Sequence, residues 1–379
     1  MLPIVSGIAG SPVTPALAVN AVAAARPSTP QGKPDQVGSG SLTFLSFNMC
    51  KSQCDYPAPD WSVRRDRVAR VISESGASVV GVQEATGSGG GITGYESYVS
   101  KYGEDIKLHG YALDPYIPRD QCEEIEQLIA PAGYKSPVID IELNLCSKNN
   151  KAAKNGFVKC ISSPRIYYKD TVVTQMVNSK GQPAAGMSRL GIIEPSVTGY
   201  SDPRAVAWAY FQSPGTGPFL AVSLHMTNEK FRLADSDRNS IARALGPWAN
   251  VLNTKMGISA PTTVLMADLN SFQDRQPRGA QFTLKNMGWN DAWNAKKRIN
   301  IQYSTINVTP DTRKFGGWPP KPHMRWDKGA GTRIDYIMAK GPVTFTEYEV
   351  MLWTNRDGKF NTDYQASDHQ AIRAVVQFN

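Results

Sequence analysis

The sequence contains no P-loop, no G-x-S-x-G elbow and no Cys-x-x-Cys pair, and its 379 residues include only four histidines and five cysteines. Each absence excludes a chemistry. Without a Gly-rich loop ending in Gly-Lys-Ser/Thr there is no P-loop cradle for nucleotide phosphates, and without the elbow there is no serine nucleophile of that type. No closely spaced His/Cys set offers a zinc site, and no cysteine stands in a nucleophile's context. Repeats of fixed period and coiled-coil heptads are also missing, which excludes solenoids and long bundles. The uncharged residues 1–25 are interrupted by Pro3, Pro12 and Pro15 and are too broken for a membrane-spanning helix.

What is present suits a soluble, folded protein. The chain is 41% hydrophobic and 20% charged, enough apolar content for a sizeable core in one large domain or two ordinary ones. A formal net charge of +8 fits an anionic partner such as nucleic acid, an acidic lipid surface or a phosphorylated small molecule, and equally a moderately basic soluble enzyme. Ala23-Ala24-Ala25 before Arg26, the first charge, fits the small-x-small pattern of a signal-peptidase site. Residues 1–25 are therefore expected to be a secretion signal, with a disordered tail as the alternative, since no basic segment precedes the apolar stretch. Residues 26–41, rich in Pro, Gly and Ser, read as a disordered linker. A secreted location agrees with the cysteines: a Cys50–Cys54 bridge is expected, plus one bridge among Cys122, Cys146 and Cys160 with one cysteine left over.

From Leu42 onward short apolar runs alternate with amphipathic ones. "LTFLSFN", "ASVVGVQE", "TTVLMADLN", "RIDYIMA" and the final segment read as strands. "AVAWAYFQ" and "PFLAVSLHMTN" read as two strands joined by the turn "SPGTGP". "WSVRRDRVARVISESG" puts Val68, Val71 and Ile72 on one helical face and ends at Gly76. "SIARALGPWANVL" does the same with Ile241, Leu245, Trp248 and Leu252, with a kink or break expected at Pro247. Between Thr86 and Ser163 the pattern loosens, and about 87–162 reads as a cysteine-containing insertion. The class is mixed α/β.

Polar residues recur where these strands end. Asn48 and Glu84 close the first two, His225 follows "FLAVSL", Asp268 and Asn270 follow "VLMA", Asp335 opens "YIMA", and Asp368-His369 precede the last strand. One such residue is a turn former; six strand-associated positions, holding two of four histidines, are a site. The residue types point to water attack on phosphorus assisted by a metal. Glu84 with an amide or carboxylate neighbour suits Mg²⁺, with Mn²⁺ or Ca²⁺ as alternatives. Asp335 can fix the tautomer of His369 while the imidazole takes a proton from water. His225 and Asn270 can hold phosphoryl oxygens.

The ordered set "SFN", "VGVQE", "RIYYKD", "SLHMTN", "MADLN", "TRIDYIM" and "SDHQAI" resembles the endonuclease/exonuclease/phosphatase superfamily, from about Leu42 to the C-terminus. That group includes deoxyribonucleases, abasic-site endonucleases, neutral sphingomyelinases and inositol-polyphosphate 5-phosphatases. The resemblance implies one domain, 42–379, of two packed β-sheets flanked by helices, with the active site at their shared edge. It implies Glu84 as main Mg²⁺ ligand with Asn48 beside it and Asp368 near the metal. Asp268 and Asn270 would bind the attacking water and a phosphate oxygen, Asp335 and His369 would form the acid/base pair, and His225 would stand across the scissile phosphate. His225 also leans away from the abasic-site branch. Tyr167 or Tyr168 falls where the family often places a residue near the substrate, and a core tyrosine is the reading taken. Departures from the family pattern are Ser78, Ala267 and Leu269.

For the substrate the informative stretch is residues 312–333, where Arg313, Lys314, Lys321, Arg325, Lys328 and Arg333 interleave with Phe315, Trp318 and Trp326. Cations that track a backbone and aromatics that stack bases suit a nucleic-acid substrate; the same mixture suits a lipid surface. Residues 295–298 and Lys148, Lys151, Lys154 and Lys159 add positive charge. A secreted nuclease acting as a monomer is the leading expectation. The alternatives are a sphingomyelinase-like lipid phosphodiesterase, a sugar or inositol phosphatase, and a non-catalytic binding module.

Overall fold

The computed structural model describes residues 40–51, 54, 59, 61–85, 121–139, 146–147, 159–160, 163–190, 204–227, 234–273, 278–307, 320–322 and 333–379. The expected secretion signal, nearly all of the linker, most of 87–162 and most of the basic stretch 312–333 lie outside the described residues.

In chain order the elements are β1 (Ser41–Asn48), α1 (Trp61–Glu74), β2 (Val79–Ala85), α2 (Gln121–Ile129), β3 (Tyr134–Lys135), β4 (Cys146–Ser147), β5 (Lys159–Cys160), β6 (Ser163–Lys169), β7 (Thr174–Gln175), β8 (Ala185–Leu190), β9 (Arg204–Ser213) and β10 (Gly217–His225). There follow α3 (Ala234–Met256), β11 (Thr262–Asp268), α4 (Ala280–Asn286), β12 (Asn290–Asp291), β13 (Lys297–Ile299), β14 (Asp335–Lys340), β15 (Val343–Val350) and β16 (Ile372–Phe378). One sheet runs β13-β15-β16-β1-β2-β6-β3; the other runs β12-β14-β11-β10-β9-β7, with β8 also on β9. Each sheet is centred on a parallel pair, β1–β2 and β10–β11, whose crossover carries a helix.

Alternation along the strands builds the layers. Phe44, Val79, Ile372 and Ala374 of the first sheet meet Ala221, Val264, Met266 and Ile337 of the second in the central core. Leu45, Phe47, Val80 and Val82 face the other way and pack with Val68, Val71 and Ile72 of α1. Leu220, Val222, Leu265 and Ala267 pack with Ile241, Leu245 and Leu252 of α3. Helices therefore cover both outer faces, giving the four-layer α/β sandwich expected from the motifs. Each fully buried Val, Leu, Ile or Phe contributes about 1.5–3 kcal/mol. Among the described residues no helix is long and apolar enough to cross a membrane.

Several expectations meet a more specific outcome. The β9–β10 hairpin turns at Gly215 and Gly217, whose φ values of 83° and 64° only glycine adopts without strain. Helix α3 runs through Pro247 without a break; Gly246 before it has no Cβ to meet the proline ring, which relieves part of the crowding at that residue. Trp248 is only partly buried. Residues 121–139, inside the expected insertion, belong to the sandwich: Ile125, Ile129 and Tyr134 join the α1 core and β3 extends the sheet beside β6. A helix of nine residues, separated from the next apolar pattern by polar segments, carries too short a period to stand out in sequence.

The sheets approach closely at Gly81 of β2. A Cβ there would lie 2.7 Å from Met266 Cβ and 3.1 Å from both Met266 Sδ and Ser223 Oγ. Gly81→Ala is expected to cost about 1–3 kcal/mol by overpacking, measured as a lower urea midpoint. An unchanged midpoint would contradict this packing.

Candidate active site

Three functional side chains stand on one row of the second sheet. His225 of β10 pairs with Asp268 of β11, and Asp268 pairs with Asp335 of β14. Residues paired across strands share a face, and this one continues the face of Met266 and Ile337 towards the first sheet. From the first sheet Asn48 ends β1, with the parity of Phe44, and points into the same cleft. Glu84 has the parity of Val80 and Val82 and by alternation would face α1. A bulge intervenes: the β2–β6 register shifts between Val82 and Ala85, and Glu84 takes φ 57°. The extra residue re-aims the carboxylate inward, so that Asn48 Nδ2 donates to Glu84 Oε1 at 3.3 Å and to Asp268 Oδ2 at 2.9 Å.

Asp268 Oδ2 is the hub of the cluster. It lies 3.4 Å from His225 Nε2 and 4.0 Å from His369 Nε2, and the other oxygen, Oδ1, accepts the Asn270 N–H at 2.8 Å. His369 turns Nδ1 to Asp335, 3.2 and 3.1 Å from its two oxygens. Ser367 Oγ accepts the His369 N–H. The segment 304–307 runs alongside: Ile306 bridges His369, Gln370 N–H donates to Thr305 O, and Asn307 N–H donates to Asp368 O. Thr305 Oγ1 also accepts the N–H groups of Ile334 and Asp335, tying the dyad's two strands together.

The environment drives the two histidines apart. Burial pushes His225 down to about 4, with Asp268 opposing only in part. Its Nε2 lies 2.8 Å from Asn270 Nδ2, and the same amide donates to Met226 O. The carbonyl fixes the amide's orientation, so His225 is the neutral tautomer accepting at Nε2. For His369 burial alone would lower the pKa, but Asp335, Asp368 and Asp268 raise it well above 6.5. Asp268 and Asp368 are themselves pushed up, by burial first and then by Asp335 and Glu84 respectively.

These carboxylates fit a divalent cation. Glu84, Asp268, Asp335 and Asp368 concentrate hard oxygen donors, and their mutual repulsion marks a site short of positive charge. Glu84, about a quarter exposed, forms the open side while Asp268 is 1% exposed. Asp268, Asp335 and His369 offer ligand atoms within 4.8 Å of one another. Asn48 presents its amide N–H groups to the carboxylates, because its Oδ1 accepts the Cys50 N–H at 3.0 Å. All eight residues expected from sequence thus lie at the C-terminal ends of β1, β2, β10 and β11 or beside them.

The fold places this cleft in known company. No family model and no curated protein matches the chain by sequence. Among solved structures, an endonuclease/exonuclease/phosphatase family protein from Bacteroides thetaiotaomicron matches with a TM-score of 0.56 at 16% identity, over 90% of this chain and 99% of that one. A mannosyl-6-phosphatase of the same organism gives 0.54 at 15% identity over 88% and 99%. A family protein from Bacteroides vulgatus gives 0.53 at 15% over 89% and 99%. The chain has the endonuclease/exonuclease/phosphatase fold. In that fold the sheets' shared edge, where the motif residues meet, is the place where the resemblance in sequence put the active site.

Some supports of this edge were invisible in sequence. Arg64, fully buried in α1, donates to the carbonyls of Met49, Cys50, Lys51, Pro59 and Ala366 and so ties the turn after β1 to the loop carrying Asp368-His369. Gln83 donates to Ser223 Oγ and Met266 O across the sheets just beneath the site. Arg64 belongs to no motif, and Gln83 sits inside "VGVQE" with no role read for it there; the partners of both are atoms that only the fold brings near. Tyr167 and Tyr168 are buried as expected, Tyr167 donating to Cys122 O.

One cation of the basic stretch is corrected. Arg333 is no surface charge: it is 1% exposed and makes two bonds with Asp291, at 2.9 and 2.8 Å, against the rings of Trp293 and Tyr336. A bidentate partner 42 residues away cannot be read from local pattern. Lys321 is exposed, whereas Lys297 pairs with Glu347 and Arg298 lies against Trp293. Arg313, Lys314, Arg325 and Lys328 lie outside the described residues.

The Asp291–Arg333 pair anchors the start of the Asp335 strand. Burial alone would raise the Asp291 carboxyl, but Arg333 pulls it below its ordinary 3.8. Its stabilisation is then complete above pH 3.8 and is lost as pH falls through the lower folded value. Asp291→Ala is expected to cost about 3–5 kcal/mol in urea unfolding at pH 7, because the Arg333 charge stays buried. The loss should shrink below pH 3.8. Wild-type stability at pH 7 would refute the anchor.

Proposed function

We propose that this site hydrolyses a phosphate ester by water attack with a divalent cation, Mg²⁺, and that the substrate is nucleic acid acted on outside the cell. One observation carries the reading: the Asp335–His369 dyad, His225 and Asn48 converge on the single buried oxygen Asp268 Oδ2, and the same Asn48 amide also holds Glu84. A structural cluster would pair each carboxylate with a buried cation, as Arg333 does for Asp291. Here carboxylates face one another at an open edge.

The residues divide the work. Asp335 holds His369 Nδ1–H and offsets the charge that forms when Nε2 takes a proton from water. Asp268, 4.0 Å from that Nε2, orients the water between them. His225 and Asn270 line the opposite side, where phosphoryl oxygens would lie. Glu84 and Asp368 would hold the cation, with Asn48 orienting Glu84 through its amide. A bound Mg²⁺ would supply positive charge to the phosphoryl oxygens and, by repelling an imidazolium, favour the neutral His369 that a base must be.

Nucleic acid is favoured by the +8 net charge and by the interleaved cations and aromatics of residues 312–333. The Cys50–Cys54 disulfide supports an oxidising compartment and hence secretion.

Plasmid DNA is expected to be nicked in Mg²⁺ and left intact in EDTA. His369→Ala should lose about 10²–10⁴-fold in rate with binding retained, and Glu84→Gln should shift the Mg²⁺ titration to higher concentration. Affinity for DNA should fall steeply with salt. An intact plasmid with phosphate released from a hexose phosphate would make this a phosphomonoesterase, and sphingomyelin cleavage a lipid phosphodiesterase. Full activity in EDTA or in His369→Ala would sink the mechanism itself.

A further inference from the structure

The disulfide between Cys50 and Cys54 closes a loop of sequence separation four. It sits against the cation side of the site: a carboxylate oxygen of Asp368 lies within 4.8 Å of both sulfurs. Those sulfurs are bonded to each other, so this grouping is not a metal site in its own right. Cys50 holds φ 54°, a left-handed conformation that a side-chain-bearing residue leaves unless something holds it there. In that conformation two successive N–H groups reach the site. Cys50 N–H donates to Asn48 Oδ1 at 3.0 Å, and Lys51 N–H donates to Glu84 Oε2 at 3.2 Å. The first bond turns the Asn48 amide so that it donates to Glu84 and Asp268. The second fixes the Glu84 carboxylate directly.

The turn is gripped by two buried side chains and by the disulfide. Arg64 holds the carbonyls of Met49, Cys50 and Lys51, and Gln121 Nε2 also donates to Cys50 O. The disulfide adds a covalent restraint beside Asp368. A ring this short gains least from loop closure in the unfolded chain, so its effect is local and falls on the residues it touches.

We propose that the Cys50–Cys54 disulfide is a positioning element of the cation site, fixing the Cys50 and Lys51 amides on Asn48 and Glu84. The site reaches its full affinity for a divalent cation only in the oxidised protein. This rests on the reading above in placing the cation at Glu84. Forming the bond removes two protons and two electrons from the thiols, and a small-molecule disulfide takes them up in becoming two thiols. The hydrolytic site is thereby completed on entry into an oxidising compartment.

The test compares oxidised wild type, wild type reduced with a phosphine and desalted without air, and Cys50→Ser/Cys54→Ser, all as the full chain. Calorimetry with Mg²⁺ alone should show affinity about 10–100-fold weaker in the reduced and serine forms, with unchanged far-UV circular dichroism. Without cation, the Cys50 and Lys51 amides should exchange hydrogen faster in those forms, and excess Mg²⁺ should restore hydrolysis. Equal Mg²⁺ affinity in all three would overturn the proposal and leave the phosphoesterase reading intact. Unfolding of both altered forms would make the bond a general staple and overturn it too. No Mg²⁺ binding by the oxidised wild type would overturn both readings.

Discussion

The site depends first on strand register. His225, Asp268 and Asp335 share a row only because β10, β11 and β14 pair as they do, and a slip of one residue would send any of them to the helix-covered face. The register is enforced below the row by the alternation itself. Ala221, Val264, Met266 and Ile337 fill the space between the sheets, while Val222, Leu265 and Met338 pack under α3 and α4. The same packing that makes the core therefore aims the three polar side chains, without separate machinery for the site.

The first sheet solves a harder problem, since Glu84 has the wrong parity. Its bulge places a side-chain-bearing residue at positive φ. Of the four such residues described, Cys50, Glu84 and Asn270 all belong to the site. Strained backbone persists only where surroundings over-determine it. Here Arg64, the Lys51 N–H, the Asn48 amide and the Asp268 carboxylate supply those surroundings. Acidic side chains are thus brought close at some cost, and the histidines beside them are pushed in opposite directions.

Much of this was legible in sequence, for reasons that differ by residue. The strands β1, β2, β10 and β11 were legible as short apolar runs, which strands buried on both faces leave, and α1 and α3 by their 3.6 period. The eight polar positions stood out because they interrupt apolar runs in the order of a known family's motifs. The inward turn of Glu84 was not legible, because a bulge is set by pairing with β6 and leaves no local signature. Arg64 and Arg333 look like surface cations in a helix and a loop. Their partners are backbone carbonyls and an aspartate that only the tertiary structure supplies. Pro247 looked like a break because the relief offered by Gly246 is a matter of one missing methyl group.

The central claim is that one buried carboxylate, Asp268, stands between a neutral His225 and an His369 charged by Asp335. Ring ¹⁵N chemical shifts of the histidines, followed from pH 4 to 9 in cation-free protein, test it most directly. The account predicts that His225 stays neutral, with its proton on Nδ1, until near pH 4, while His369 keeps both ring protons well above pH 6.5. Two histidines titrating together near 6.5 would contradict it.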